Sequence, residues 1–203
     1  MNNHRHLKRT IGAAVLLAAS FLLISCNSVE NESQSASLLI VEGLTGLDMQ
    51  GTEGFFLQSD VLIEDPATGA SSVRADSAKA TFRATTLEPD PLLGTSQYND
   101  IQITRYVVTY IRADGRNREG VDVPYSFEGS LSALIRIGIS TSVSFVIVRE
   151  VAKQEPPLFN LRAALPGDIL NVTAKVDFYG HDLANKAVRA TGMLPVFFAN
   201  YGN

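Results

Sequence analysis

The chain consists of short apolar runs with a two-residue period, separated by clusters of residues that favour turns. The longest regular run is Asp100–Arg112, in which apolar residues occur at both odd and even positions. Because successive side chains of a strand point to opposite faces, this run predicts a central strand with both faces partly covered. The odd positions from Ile101 to Ile111 are predicted to share one face. The even positions, which include Tyr106 and Tyr110, are predicted to share the other.

Similar patterns predict further strands at Ser37–Leu44, Phe55–Glu64, Ser77–Thr86, Val121–Phe127, Ser130–Ile139, Thr141–Val151, Ile169–Tyr179 and Lys186–Ala199. The last two alternate regularly and are predicted to pair as a C-terminal hairpin. Proline cannot donate to a strand ladder, so Pro124 predicts an edge strand for the segment that contains it. Leu87–Gln97 is predicted to be a loop, and Lys153–Ala164 to contain a turn of helix.

About eight or nine short strands with little helix between them predict an antiparallel β-sandwich, with a closed barrel as the alternative. The number and spacing of the strands resemble the immunoglobulin-like and fibronectin-III-like sandwiches. The Cys…Trp…Cys signature of true immunoglobulin domains is absent, because the chain has one cysteine and no tryptophan. The resemblance therefore implies a fold and no particular function.

The N-terminal segment has a different pattern from the rest of the chain. Its first nine residues include three basic residues and no acid, and Thr10–Ser25 is almost wholly apolar. A basic region followed by a short apolar region is typical of a cleaved secretory signal peptide. The predicted organisation is a signal peptide at 1–25, a flexible polar tether at 26–37 and a β-sandwich domain at 38–203.

The end of the apolar region, Leu23-Ile24-Ser25-Cys26, resembles the lipobox of bacterial lipoproteins. The resemblance implies cleavage before Cys26, a diacylglyceryl group on its thiol and acylation of its new amine. It therefore implies a lipid anchor in the cell envelope. Asn27 follows the cysteine where aspartate would favour the inner membrane, so the outer membrane is predicted in a cell that has two. The alternative is an ordinary signal peptide and a freely secreted protein.

Composition narrows the possible partners. The predicted signal peptide contains three of the 17 Lys and Arg residues and none of the 21 Asp and Glu residues, so the remaining chain has a net charge of −7. That balance argues against nucleic acid or an anionic lipid surface as a partner, because both favour clustered cations. With Cys26 as the only cysteine, the exported domain contains no internal disulfide.

Candidate chemistry is sparse. His181 is predicted to be an exposed residue at the tip of the last hairpin, and no catalytic set or cofactor is predicted. Calcium is the metal considered, since exported β-domains bind it through loop oxygens. The candidate ligands are Asp114, Asn117, Glu119 and Asp122 in one turn region, and Asp60, Glu64, Asp65 and Asp76 in another. Neither set matches an EF-hand loop, and solvated turn charges are the alternative.

Aromatic residues predicted to point outward offer a surface for sugar or peptide: Tyr106, Tyr110, Tyr179, Tyr201 and Phe197. The alternative is that they are half-buried residues of the sheets. The function predicted is that of a non-enzymatic, membrane-tethered module that binds another envelope protein or a glycan, through end loops or through a sheet edge such as the Pro124 strand. Two alternatives are an envelope carbohydrate hydrolase that uses loop carboxylates, and a carrier of a small apolar ligand.

Overall fold

The computed structural model describes residues 35–48, 51–65, 67–88, 96–163 and 168–201. The predicted signal peptide and the predicted lipidation site at Cys26 lie outside these residues. Within the described part of the chain, no helix combines the length and the hydrophobicity needed to cross a membrane.

The strands, in chain order, are β1 (Ser37–Leu47), β2 (Glu53–Gly54), β3 (Leu57–Asp60), β4 (Ile63–Glu64), β5 (Ser71–Ser72), β6 (Asp76–Thr86), β7 (Ile101–Ile111), β8 (Phe127–Ile135), β9 (Thr141–Val148), β10 (Leu170–Asp182) and β11 (Ala187–Ala199). Short 3-10 helices lie at Gln97–Asn99, Val151–Gln154 and Leu158–Ala163. The last two confirm the predicted turn of helix between β9 and β10.

Two sheets form the sandwich. Sheet A has the order β2-β1-β6-β9, and sheet B has the order β3-β11-β10-β7-β8. The pairing of β3 with β11 is parallel, and the other pairs within these two sheets are antiparallel. The neighbours β11-β10-β7 in one sheet and β6-β9 in the other follow the order of immunoglobulin strands G-F-C and B-E. The predicted all-β sandwich is confirmed.

The core lies between the sheets and contains a cluster of aromatic rings. Phe178 of β10 meets Phe82 of β6 edge to face, with 4.7 Å between ring centroids, and meets Phe145 of β9 at 5.4 Å. The predicted alternation in β6, β10 and β11 is confirmed, because their inward residues are buried or pack on the core. Burying one such large side chain contributes roughly 1.5–3 kcal/mol, so the aromatic cluster is a principal source of stability.

The predicted faces of β7 are wrong for its second half. The register between β7 and β8 shifts between Ile103 and Arg105, which marks a β-bulge. An extra residue in one strand moves all later side chains to the opposite face. Tyr106 and Tyr110 consequently lie in the core, 4% and 2% exposed, and Tyr110 Oη donates to the carbonyl oxygen of Ile147 at 2.7 Å.

The predicted edge strand around Pro124 is also wrong. Residues 112–126 form the connection between β7 and β8, and Pro124 is buried within it. The amide nitrogens of Asp122 and Val123 donate to the carbonyl oxygen of Arg118, and Gly120 has a positive φ of 72°. These tight turns use the backbone groups that a strand would need. The predicted strand 55–64 is likewise divided, into β3 and β4.

Strand direction assigns each connection to one of two ends of the sandwich. The described chain enters at Ser35, and the connections β6–β7, β8–β9 and β10–β11 lie at the same end, which we call the entry end. The connections β1–β2, β7–β8 and β9–β10 lie at the opposite end, which we call the far end.

Candidate functional site

The main exposed aromatic surface lies toward the far end, on the outer face of sheet B. Phe56, just before β3, packs against Phe197 of β11 with 5.7 Å between ring centroids. Tyr201 donates its hydroxyl to the carbonyl oxygen of Phe197 at 3.0 Å. Phe55 is 88% exposed and Phe56 is 50% exposed. We call Phe55, Phe56, Phe197 and Tyr201 the aromatic patch.

The position of the patch depends on the close approach of β3 to β1. A Cβ atom at Gly46 of β1 would lie 2.9 Å from Leu57 Cβ and 3.0 Å from the carbonyl oxygen of Phe56, distances too short for a relaxed contact. Glycine at this position therefore allows the backbone beside Phe56 to lie against β1. This role was not predicted, because a glycine after an apolar run locally indicates a turn.

A shallow cavity of about 200 Å³ adjoins the patch. It is lined by Gly46, Asp48, Thr52, Glu53, Gly54, Phe56, Leu57 and Gln58. Glu53 accepts hydrogen bonds from Lys79 Nζ and from Thr45 Oγ1, and the Lys79 bond lowers the pKa of the Glu53 carboxyl. The cavity therefore places an ionised acceptor beside the exposed ring of Phe56, an arrangement that suits binding of an amphipathic surface.

An apolar strip extends the patch along β11. Met193, Pro195 and Phe197 alternate with the buried residues Leu194 and Val196, so all three point away from the core. Met193 is among the more exposed large side chains of the protein. The strip therefore continues the patch along the outer face of sheet B, because side chains two residues apart in a strand share one face.

The predicted aromatic face is therefore divided among three places. Tyr106 and Tyr110 belong to the core, whereas Tyr201 and Phe197 belong to the patch. Tyr179 lies on the outer face of sheet B between two guanidinium groups, with Arg105 Cζ 3.9 Å and Arg189 Cζ 5.3 Å from its ring centroid. Phe55 and Phe56 were missed, because an apolar pair at the start of a predicted strand indicates burial.

Asp177 lies next to Tyr179 on β10 and joins three side chains of the same face. It accepts a hydrogen bond from Thr191 Oγ1. It also forms ion pairs with Arg189 and Lys175, with nitrogen–oxygen distances of 2.9 Å and 3.2 Å respectively. Burial acts to raise the pKa of Asp177, but the three donors outweigh it and lower the pKa. These polar contacts lie on the outer face of sheet B and stabilise the pairing of its strands.

The first set of calcium candidates is engaged in the β7–β8 connection. Asp114 pairs with Arg112 at 2.7 Å and with Arg116 at 2.8 Å, and the Arg112 hydrogen bond holds the pKa of that carboxyl well below its usual range. Asn117 Oδ1 accepts the Arg112 amide, Glu119 Oε1 accepts the Ser126 amide, and Asp122 lies 4.0 Å from Arg118. Among described residues, no group of three or more metal-binding side chains converges.

Asp76, from the second calcium set, forms a buried ion pair instead. Lys153 is 0% exposed, and its Nζ lies 2.9 Å from Asp76 Oδ2 and donates to the carbonyl oxygen of Asp60 at 2.7 Å. Ser59 Oγ donates to Asp76 Oδ2 at 2.6 Å. Burial raises the pKa of Asp76 against the opposing influence of these partners. The pair ties β6 to the segment after β9 and to β3.

The remaining candidates have structural partners. Asp65 accepts the Ala67 amide and the Thr68 hydroxyl within a turn, and the Ala67 bond lowers its pKa. Glu64 is exposed and pairs through its backbone with Ser71. His181 is not at the tip of the hairpin as predicted. It is half-buried within β10, opposite Ala187, with Nδ1 3.0 Å from the carbonyl oxygen of Asp182.

Comparisons with protein-family models, with curated proteins and with solved structures found no match to this chain.

Proposed function

We propose that this protein is a lipid-anchored protein of the cell envelope that binds another envelope protein through the aromatic patch and acts without catalysis. The proposal is supported mainly by the distance between the point where the described chain enters the sandwich and the aromatic patch. The described chain enters at one end of the sandwich, and the patch lies toward the other. An anchor on the N-terminal side thus leaves the patch accessible to a partner.

The anchor rests on the sequence around Cys26. Two acyl chains give stable attachment to a bilayer, whereas one gives only reversible attachment. Eight residues lie between Cys26 and Ser35, and a flexible tether of that length would span roughly 14–17 Å. The domain would therefore remain close to the membrane surface, with the outer membrane as the proposed location in a cell that has two.

A protein partner is favoured over a glycan by the shape and chemistry of the surface. Exposed aromatic residues and methionine are enriched in protein interfaces, and the patch continues into the strip that contains Met193 and Pro195. Together they provide contact area for a second protein. A glycan is the alternative, because exposed rings beside the Glu53 acceptor also suit a sugar.

A hydrolase is less well supported. Asp76 is an acid with a raised pKa, which such an enzyme requires. Its carboxyl is nevertheless occupied by Lys153 and Ser59, and Asp76 does not line the cavity beside the patch. We therefore assign Asp76 a structural role.

A carrier of an apolar ligand is also less well supported. Ligand cavities usually measure 300–1,000 Å³, roughly. The cavity beside the patch is about 200 Å³ and open to the surface, and Phe82, Phe145 and Phe178 fill the space between the sheets.

Photo-crosslinking in intact cells tests the binding proposal. A benzophenone amino acid replaces Phe55 in one variant and Tyr125 in a control, which is also aromatic and exposed but lies in the β7–β8 connection. We expect a protein adduct of defined mass from position 55, absent from position 125. Adding Phe56→Ser to the position-55 variant should reduce the yield of the crosslinked adduct several-fold.

Equal adducts at both positions, or none at position 55, would contradict the proposal. An adduct at position 55 that glycosidase removes would overturn the choice of a protein partner and establish the glycan alternative.

A further inference from the structure

The entry end carries exposed apolar side chains on four separate segments. Leu87 follows β6, Tyr98 precedes β7, Ile139 lies between β8 and β9, and Leu183 lies between β10 and β11. Their exposed fractions range from 42% to 61%. We call these four residues the apolar rim. Exposed apolar residues drawn from several loops at one end usually indicate a contact surface.

Hydrogen bonds donated by backbone amides hold the segments of the rim to one another. The Leu183 amide donates to the carbonyl oxygen of Asp100 at 3.0 Å, and Asp100 Oδ1 accepts the Ile137 amide at 3.0 Å. Gly138 donates to the carbonyl oxygen of Ala84 at 2.9 Å. Three connections are thereby fixed against one another, so a contact through the rim costs little conformational entropy.

Asp182 fixes the entering chain to this same end. It is 2% exposed, and its Oδ2 accepts the Ser35 hydroxyl at 2.7 Å while its Oδ1 accepts the Ala184 and Lys186 amides. The Leu87 amide donates to the carbonyl oxygen of Ala36 at 2.9 Å. The first described residues are thus hydrogen-bonded beside the rim, although the sequence placed them in the tether.

Charges around the rim are balanced. The described residues of these loops, at 87–88, 96–100, 136–140 and 183–186, contain two cations, Arg136 and Lys186, and two acids, Glu88 and Asp100. A surface that binds anionic lipid carries an excess of Lys and Arg. A membrane contact at this end would therefore depend on apolar burial and would not require anionic lipid.

We propose that the entry end rests directly on the bilayer, with the apolar rim at the boundary between headgroups and acyl chains. This inference rests on the proposed anchor at Cys26. The short chain between that cysteine and Ser35 keeps the rim at a high effective concentration near the lipid surface. Tyrosine and aliphatic side chains are suited to the interfacial region, and the patch at the far end then faces away from the membrane.

Single-tryptophan fluorescence tests the contact, because the chain has no tryptophan of its own. Tyr98→Trp and Leu183→Trp place a reporter on the rim, and Phe55→Trp places a matched reporter on the exposed patch. Each full-length chain is purified from membranes and reconstituted into phosphatidylcholine vesicles with and without brominated acyl chains. Intact mass establishes first that each preparation carries acyl groups.

We expect brominated lipid to quench both rim reporters by about half or more and to leave the Phe55→Trp signal nearly unchanged. Raising the salt concentration from about 0.05 M to 0.5 M should alter the quenching little, because the contact is apolar. Acylated protein with unquenched rim reporters, or equal quenching at all three positions, would overturn the membrane contact and leave the anchor intact. Protein without acyl groups would overturn the anchor and the contact together.

Discussion

The two ends of the sandwich are held together by acidic side chains that have different partners. At the entry end, Asp182 and Asp100 accept hydrogen bonds mainly from backbone amides. Toward the far end, Asp76 is paired with the ammonium group of buried Lys153. Bonds to backbone amides tie neighbouring loops into one rigid surface. The ion pair joins distant segments but leaves the exposed rings beside it accessible.

Breaking the ion pair between Lys153 and Asp76 should lower the free energy of unfolding more than removing the Asp182 carboxylate at the entry end. Lys153→Met leaves the largely desolvated carboxyl of Asp76 without a cation, and removing one partner of a buried pair costs about 3–5 kcal/mol. We expect the free energy of unfolding at pH 7 to fall by that amount in denaturant titrations. Lys175→Met, which removes a more exposed partner of Asp177, should cost less than about 1 kcal/mol.

The pH dependence of Lys153→Met sharpens this comparison. Burial already raises the pKa of Asp76, and loss of Lys153 raises it further. An acid with a raised folded-state pKa destabilises the fold when it ionises, so stability returns as the pH falls. The deficit of the variant should therefore shrink as the pH is lowered from 7 toward the ordinary aspartate pKa of about 4. A deficit that is constant or grows would contradict this account.

At the entry end, Asp182→Ala should cost about 2–4 kcal/mol, because three donors lose a charged acceptor. Asp182→Asn retains an acceptor oxygen for the Ala184 and Lys186 amides and should cost less. In the alanine variant, amide hydrogen exchange should accelerate more at residues 183–186 than at the far end, because local opening there adds to the global loss of stability. Uniform acceleration throughout the domain would show that the end is not an independent unit.

The close approach of β3 to β1 is tested by Gly46→Ala. The new Cβ would crowd Leu57 and the Phe56 backbone, which should cost about 1–3 kcal/mol. We also expect fewer adducts from position 55 in the crosslinking assay. Gly43→Ala lies on the same strand with no atom within 4 Å of the new Cβ, so it is the matched control. Equal destabilisation by the two substitutions would contradict the proposed steric cause.

A smaller effect is expected midway between the ends. Asp177→Asn removes a carboxylate whose pKa is lowered by its hydrogen-bond donors. The stabilisation by Asp177 is therefore present above the ordinary aspartate pKa and is lost in acid. At pH 7 the variant should lose about 1 kcal/mol of stability. Below about pH 4 the difference from wild type should shrink, because this aspartate is then protonated in the unfolded chain while its lowered pKa keeps it ionised in the folded one. Thermal unfolding at the two pH values measures this difference.

The fold could be predicted from sequence where one face of a strand is continuously buried. The alternation in β6, β10 and β11 follows directly from their position against the core. The second half of β7 could not be predicted, because its bulge arises from pairing with β8. Tyr106 lies opposite Gly129 there, and the missing side chain leaves room for its ring.

The candidate site was predicted only in part. Tyr201 and Phe197 were predicted, but Phe55 and Phe56 resemble buried strand residues until the position of β3 is known. Lys153 could not be predicted to be buried, because its partner Asp76 is 77 residues away in the sequence. Such roles depend on tertiary contacts that no local pattern contains.

Intact mass of the membrane fraction, with wild-type protein compared to Cys26→Ser, tests the central claim most directly. We predict a wild-type mass equal to the chain from Cys26 plus acyl groups, and no such species in the variant. Unmodified protein released into solution would contradict the anchor, and with it the proposed orientation of the two ends.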